Sequence, residues 1–234
     1  MNGQLPIMRL VARILAVLLA TSVFMNDCCA AGNGNKYRTK ENLLVQLRPF
    51  YGEALPNESF VKLPSTTMEI PGGSKFELDL ASWKYIGDIS IEFIFQEPDS
   101  PVGALQSDLV KIGLARPEDA LPIAIANLRR INGEAKITEV TGGLMRVRGT
   151  NPDLDSAYFL DRALWKNLES RYPEGILVSV TQIDSLLFAP LSQQKAAEYL
   201  MRSANHSYRT GTRPGVSGLL YLFKNGKWTA VRAK

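Results

Sequence analysis

Cysteine and histidine are nearly absent from this sequence, and their scarcity excludes several kinds of site. The 234 residues include two cysteines, Cys28 and Cys29, and one histidine, His206. A zinc site with nitrogen or sulfur ligands needs three or four such side chains, and a mature chain cleaved after Ala31, as predicted below, would keep only His206. A serine–histidine–aspartate triad could use only His206, and no G-x-S-x-G sequence is present. We therefore predict no metal, and the lack of G-x-G-x-x-G and P-loop sequences predicts no nucleotide cofactor.

Calcium-loop spacing is also missing from the acidic residues. Asp153, Asp155 and Asp161 lie close together in the sequence, but no glycine turn or terminal glutamate completes a calcium-binding loop around them. Aspartate is favoured at helix N-caps. We interpret these three residues as capping or surface residues.

The N-terminal apolar run is too short to cross a bilayer, which takes about 20 residues. Residues 14–25 form an uncharged run that follows Arg9 and Arg13. A short apolar run after positive charges and before small residues is typical of a secretory signal peptide. Cleavage after Ala31 would make residues 1–31 a signal peptide and leave a mature chain with no cysteine and no transmembrane span. We therefore predict export, to the periplasm or outside the cell.

Two alternatives for the N-terminus stay open. The run could remain as an uncleaved anchor or a buried helix. Cys28 or Cys29 could instead carry a lipid, as in bacterial lipoproteins. That signal uses small, apolar residues before the cysteine, and the charged Asp27 fits it poorly.

Charge is distributed unevenly along the chain. Residues 49–128 contain five Lys/Arg and twelve Asp/Glu, a net charge of −7, whereas residues 195–234 contain eight Lys/Arg and one Glu, a net charge of +7. Such asymmetry indicates either an anionic partner for the basic part or two faces of one domain that attract each other. No run of five like charges occurs, so we predict no nucleic-acid binding. The candidate anion- or partner-binding residues are Arg202, Arg209 and Arg213.

Hydrophobic periodicity predicts five helices. Leu43, Leu44 and Leu47 give residues 41–55 an apolar stripe that Pro49 should end or kink. Turn and capping residues bound the others, among them Ser107, Asp153 and Ser192 as N-caps. The remaining predicted helices cover residues 107–113, 116–133, 154–172 and 192–209. Pro122 should kink the second of these or move its start towards Asp119.

Alternating apolar residues predict strands between the helices. Short strands are expected in residues 60–80, a clear strand in 88–98, and hairpins in 136–149 and 216–231. Asn225-Gly226 is the strongest hairpin signal in the chain. Because helices and hairpins mix without a strict β-α-β alternation, we predict an α+β fold, mainly antiparallel sheet packed by several helices.

Four stretches in the second half carry a family resemblance. They are "EDALPIAIANLRRI", "AYFLDRALWKNL", "GILVSVTQIDSLLFAPL" and "LLYLFKNGKW". Together they resemble the YtpQ-like bacterial family, domain of unknown function 1444, over residues 102–231. The resemblance implies a domain type and no reaction, because the family has no established activity. It suggests that residues 32–101 form an N-terminal part and that residues 102–234 form a YtpQ-like region. Alternatively, both parts belong to one continuous domain.

Asp184 is the one candidate catalytic residue. It interrupts two apolar runs in residues 176–190 and matches the family pattern, which places a proline and an arginine before the aspartate. Thr181 and Ile183 occupy those positions here. The alternative interpretation is a turn between two strand segments, in which Asp184 and Ser185 accept backbone N–H groups.

Two hypotheses for function follow. The first is a non-enzymatic exported protein that binds or assembles with an anionic component of the bacterial envelope or another protein. The alternative is a hydrolase of an anionic or glycan envelope substrate, in which Asp184 acts as acid or base and Arg202 and Arg209 place the substrate. The sequence does not determine the oligomeric state.

Overall fold

The computed structural model describes residues 34–69 and 73–231. The chain divides into two compact units, residues 1–38 and 39–234. In the first unit, the described residues include a short 3₁₀ helix, Gly34–Tyr37. The predicted signal peptide and both cysteines lie outside the described residues.

The second unit contains a five-stranded antiparallel sheet. Its strands are β1 (Leu43–Pro49), β2 (Val61–Lys62), β5 (Ser82–Ile86), β6 (Ile89–Phe95) and β7 (Val102–Gly103). The order is β1-β6-β5-β2, and β7 pairs with β6. The short strands β3 (Thr66–Glu69) and β4 (Lys75–Leu78) pair with each other. The strands expected in residues 60–80 and 88–98 are thus confirmed.

The helix predicted for residues 41–55 is wrong, because its apolar part, Leu43–Pro49, forms strand β1. Leu43, Leu44, Val45 and Leu47 are all buried. In a strand, consecutive residues point to opposite faces, so this run has both faces covered. A short apolar run of that kind does not distinguish helix from strand by periodicity alone. The segment is a strand because seven of its residues pair with β6. The pairing runs from Leu43 opposite Phe95 to Pro49 opposite Ile89.

A six-stranded antiparallel sheet forms the second half. Its strands are β8 (Lys136–Thr141), β9 (Leu144–Arg148), β10 (Ile176–Gln182), β11 (Ser185–Pro190), β12 (Leu220–Lys224) and β13 (Lys227–Val231). The order is β13-β12-β10-β11-β9-β8. Asn225 and Gly226 have φ angles of 53° and 71° in the β12–β13 turn, as a tight two-residue hairpin requires. Both predicted hairpins are confirmed.

Within residues 34–69 and 73–231 the structure also has four α-helices. They are α1 (Gln106–Lys111), α2 (Pro117–Asn132), α3 (Arg162–Arg171) and α4 (Gln194–Thr210). The single helix predicted for residues 154–172 is wrong: a 3₁₀ helix, Pro152–Leu160, precedes α3. The Asp161 carboxylate accepts the Leu164 N–H at 3.1 Å and so caps α3. The 3₁₀ helix therefore ends and α3 begins at Asp161, because the Asp161 side chain caps the N-terminus of α3.

The capping residues differ from those expected. Leu105 precedes α1 and Gln193 precedes α4, instead of Ser107 and Ser192. Asn151, not Asp153, caps the 3₁₀ helix. Helix α2 begins at Pro117 and includes Pro122. Since Pro122 lies in the second turn, its missing N–H removes one intrahelical hydrogen bond.

The main core contains side chains of both sheets, α2, α3 and the 3₁₀ helix. Its aromatic centre comprises Phe159, Trp165, Tyr221, Phe223 and Trp228, all buried. A second core lies between α4 and the six-stranded sheet, where Ala196, Ala197, Leu200 and Ala204 pack. The predicted α+β class is confirmed. Within residues 34–69 and 73–231, none of the helices has the length and apolarity to span a membrane.

Candidate functional site

A cavity of about 610 Å³ opens between α2, the start of α3 and the segment around Glu58. Apolar side chains of Phe60, Leu121, Ile125 and Leu160 form part of its wall. Cavities of 300 to 1,000 Å³ with apolar walls and a few polar groups are typical of small-molecule sites. The polar side chains that line this cavity are those of Glu58, Ser59, Tyr85, Glu118, Arg129, Asp161 and Arg162.

Arg129 and Asp161 form a two-point ion pair in the cavity wall. Arg129 Nε donates to Asp161 Oδ2 at 2.8 Å, and Arg129 Nη2 donates to Asp161 Oδ1 at 2.5 Å. The Asp161 side chain is 3% exposed and that of Arg129 is 33% exposed. Asp161 raises the pKa of Arg129 by accepting these hydrogen bonds. Because Asp161 also caps α3, this one carboxylate fixes the position of two helices.

Glu58 is held by residues from three other parts of the chain. Its carboxylate accepts hydrogen bonds from the Tyr85 hydroxyl and from Arg162 Nη2. It also accepts the Trp228 backbone N–H at 3.1 Å. Burial, followed by the Glu58 charge, raises the pKa of Tyr85. The phenol is therefore a hydrogen-bond donor at neutral pH and does not act as a base.

Arg162 makes two further contacts. Its Nη1 donates to the Gly226 carbonyl at 3.0 Å, and its guanidinium lies 5.4 Å from the centre of the Phe223 ring. That ring packs edge-on against Trp228 at 4.8 Å. A guanidinium gains from the electron-rich face of an aromatic ring. Arg162 thus joins the cavity to the aromatic core.

The polar groups of the cavity are held by one another and by the backbone. Both carboxylates, the buried Asp161 and the part-buried Glu58, already accept hydrogen bonds from a guanidinium and from a backbone N–H. No lining residue is a cysteine or a histidine. The arrangement provides shape, an apolar wall and fixed N–H donors.

None of the polar residues of this cavity was predicted as a site from the sequence. Glu58, Arg129 and Arg162 come from distant positions, and each occurs in a locally unremarkable context. The signal closest to them was the "LDR" triplet of residues 160–162 inside a family-like stretch, which we interpreted as helix.

The structure pairs the predicted residue Asp184 with a predicted arginine. Asp184 lies with Ile183 in the two-residue turn between β10 and β11, so the interpretation of this stretch as a joint between strands is confirmed. Arg213 Nε lies 3.8 Å from Asp184 Oδ2, and the same guanidinium also contacts Asp153. Asp184 therefore has a basic neighbour in space, although Ile183 holds the position next to it in sequence.

Arg202 and Arg209 lie on the exposed side of α4. They belong to a set of residues spaced by three or four positions: 195, 199, 202, 206 and 209. At 100° per residue, these five positions span about 80° around the helix axis and so form a stripe along it. The buried residues of α4, Ala196, Ala197, Leu200 and Ala204, are on the opposite side. We call Lys195, Tyr199, Arg202, His206 and Arg209 the basic stripe.

The basic stripe is open to solvent. All five side chains are exposed. Neither Arg202 nor Arg209 forms an ion pair within the part of the chain that the structure describes, and neither pairs with Asp184. Arg213 differs from both, because two aspartates already compensate its charge.

Asp155 is a buried carboxyl near the β10–β11 turn. It is 2% exposed, and its Oδ1 accepts the Gly149 N–H at 2.7 Å. Burial raises the pKa of Asp155, while the Gly149 hydrogen bond and the charge of Arg148 act in the opposite direction. The charge of Asp184 adds a smaller upward shift to this pKa.

Wild-type stability should fall as the pH rises because of Asp155, and the variant Asp155→Asn should lack this fall. The folded wild type keeps this carboxyl protonated to a higher pH than the unfolded chain, whose aspartates ionise near pH 3.9. The unfolded chain therefore releases its proton first, and wild-type stability falls as pH rises through the raised pKa. Thermal unfolding from pH 4 to 8 should show the melting temperature of Asp155→Asn rising relative to wild type. Exposed Asp99→Asn is the control, and a difference independent of pH would contradict the prediction.

Among residues 34–69 and 73–231, no three His, Cys, Asp or Glu side chains are grouped so that they could hold a metal ion.

Comparison with known proteins shows one distant likeness. A UPF0354 protein of Bacillus cytotoxicus is 21% identical over 123 residues, which cover 53% of this chain and 45% of that protein. The chain thus spans about half the length of the curated relative it matches. No family model and no solved structure matches. The likeness points to an uncharacterised bacterial family, and the YtpQ-like assignment stays a prediction.

Proposed function

We propose that this is an exported, non-enzymatic binding protein that holds an extended anionic component of the bacterial envelope on the basic stripe of α4. One observation carries the proposal: Lys195, Arg202 and Arg209 are aligned along the exposed face of a single helix, without ion pairs within the described ranges. The export part rests on the sequence of residues 1–31.

The spacing of the charges suits a linear partner. Residues 195, 202 and 209 are seven positions apart, so at 1.5 Å per residue neighbouring charges lie about 10 Å apart and the stripe is about 21 Å long. A compact anion would contact one of these side chains at a time. A polymer with a negative charge on every unit can contact all three.

The rest of the stripe supports this mode of binding. Tyr199 lies between Lys195 and Arg202 and is 51% exposed. Glu198 is the one acidic residue of α4, and Gln194 donates to its Oε1 at 3.1 Å. On its other face α4 packs against β9, β10 and β11, so the stripe is presented by a helix anchored to the sheet.

Reversing two charges of the stripe should weaken polyanion binding strongly. We expect Arg202→Glu/Arg209→Glu to lose at least tenfold affinity for fluorescently labelled polyphosphate, measured by anisotropy. Wild-type affinity should fall by on the order of a hundredfold when salt rises from 50 to 500 mM, as it does when about three cations displace condensed counterions. Poly-L-glutamate, tested in parallel, separates recognition of phosphate from recognition of carboxylate.

Lys166→Glu/Arg171→Glu is the matched control. Both residues are exposed on α3, and the change in net charge is the same. The control should keep at least half of the wild-type affinity. Equal losses in the two double variants, or binding insensitive to salt, would overturn the proposal.

A further inference from the structure

We infer that the cavity beside α2 binds an uncharged amphiphile, a molecule with an apolar body and hydroxyl or carbonyl oxygens at one end. This site is separate from the basic stripe and does not depend on its function. The inference rests on the size of the cavity, its hydrogen-bonding groups and its charge.

Volume and wall determine the size and character of the occupant. At about 30 Å³ for each water-sized group, the cavity of about 610 Å³ holds roughly 20 non-hydrogen atoms. Phe60 and Tyr85 stack on each other at 5.4 Å and present ring surface. Leu121, Pro122 and Ile125, one after another along α2, extend the apolar wall.

The hydrogen-bonding groups left over are mainly donors. A guanidinium carries five N–H groups. Arg129 uses two of them for Asp161, and Arg162 uses two for Glu58 and the Gly226 carbonyl, which leaves three on each. The carboxylates of Glu58 and Asp161 have both oxygens engaged. A ligand that satisfies the remaining N–H groups must therefore offer oxygen acceptors.

The charge of the lining disfavours an ionised ligand. Two guanidiniums are compensated by two carboxylates, and exposed Glu118 adds a third negative charge. An anion would meet this excess of negative charge. A cation at this end of the cavity would be repelled by the positive charges of the two arginines. An uncharged head with hydroxyl or ester oxygens meets neither penalty.

Displacement of a fluorescent probe tests the inference. N-phenyl-1-naphthylamine is uncharged and brightens in apolar sites. We expect the wild-type protein to bind it and glycerol monododecanoate to displace it. Dodecanoate and dodecyltrimethylammonium, with the same chain length and opposite charges, should displace it at least tenfold less well. All three are used below their micelle concentrations.

Two variants place the binding in the cavity. Ala126 and Ala163 line it and are exposed, so tryptophan at either position can occupy its opening while the core residues stay unchanged. Ala126→Trp and Ala163→Trp should each weaken probe binding at least tenfold and keep the wild-type melting temperature. Ala115→Trp, exposed and outside the cavity, should bind as wild type does.

Three results would overturn the inference. They are no probe binding by the wild type, unchanged binding in both cavity variants, and equal or better displacement by either charged compound. If one cavity variant fails to fold, the other still decides. None of these outcomes affects the polyanion test, because the substitutions and probes differ.

Discussion

Arg129→Met should lower the free energy of unfolding by about 3 kcal/mol, because it leaves Asp161 charged and buried without its partner. The loss should be near the low end of the range for broken buried pairs, since the Arg129 side chain is one-third exposed. Methionine preserves most of the apolar stem, so the charge and its hydrogen bonds account for the effect. Urea unfolding followed by tryptophan fluorescence measures it.

Arg116 and Asp119 provide a matched comparison. They form the same two-point arginine–aspartate contact, at 2.8 and 2.9 Å, but both are exposed. Arg116→Met should change stability far less, because solvent and salt screen an exposed pair. Similar losses for Arg116→Met and Arg129→Met would refute the claim that burial makes the Arg129 pair important.

Trp228→Ala should destabilise the protein by about 4 kcal/mol, through lost burial and the cavity that remains. Trp228 is 2% exposed and stacks on Phe159 with ring centres 4.3 Å apart. Trp165 and Phe223 contact it edge-on at 5.1 and 4.8 Å. The midpoint of guanidinium unfolding measures the effect.

Two further variants test the cause. Trp228→Phe keeps an aromatic ring and should lose less than half as much stability as Trp228→Ala. Tyr51→Ala removes an aromatic side chain that is 88% exposed and should leave the midpoint unchanged. Equal losses for Trp228→Phe and Trp228→Ala would show that the stacked rings do not provide the stabilisation.

The parts of the fold predicted correctly are those with a local cause. Asn225-Gly226 produces a tight hairpin because both residues adopt positive φ, whatever surrounds them. The local pattern of strand β1 resembles a helix, and the strand forms because it pairs with β6, whose residues lie 40 to 52 positions further along the chain. The break before α3 depends on Asp161, whose position is fixed partly by Arg129 on another helix. Tertiary contacts overrode local preference in both places.

The cavity could not be predicted, because no local pattern joins its parts. A glutamate at position 58 is an ordinary loop residue until folding brings Tyr85, Arg162 and the Trp228 backbone to it. The basic stripe was partly foreseen. The net charge of residues 195–234 indicates it, and helical spacing aligns Arg202 with Arg209. No local pattern indicates that Asp153 and Asp184 compensate Arg213, because folding brings these residues together.

The contacts of Glu58 have a consequence for folding during synthesis. Its partners Arg162 and Trp228 follow it by 104 and 170 residues, so each contact closes a long loop of chain. Folds dominated by such distant contacts form slowly, because loop closure costs entropy before the contact repays it. A ribosome adding 5 to 20 residues per second needs roughly 10 to 30 seconds to make that interval. For that period Glu58 has been made and Trp228 has not, so the nascent chain cannot complete this core.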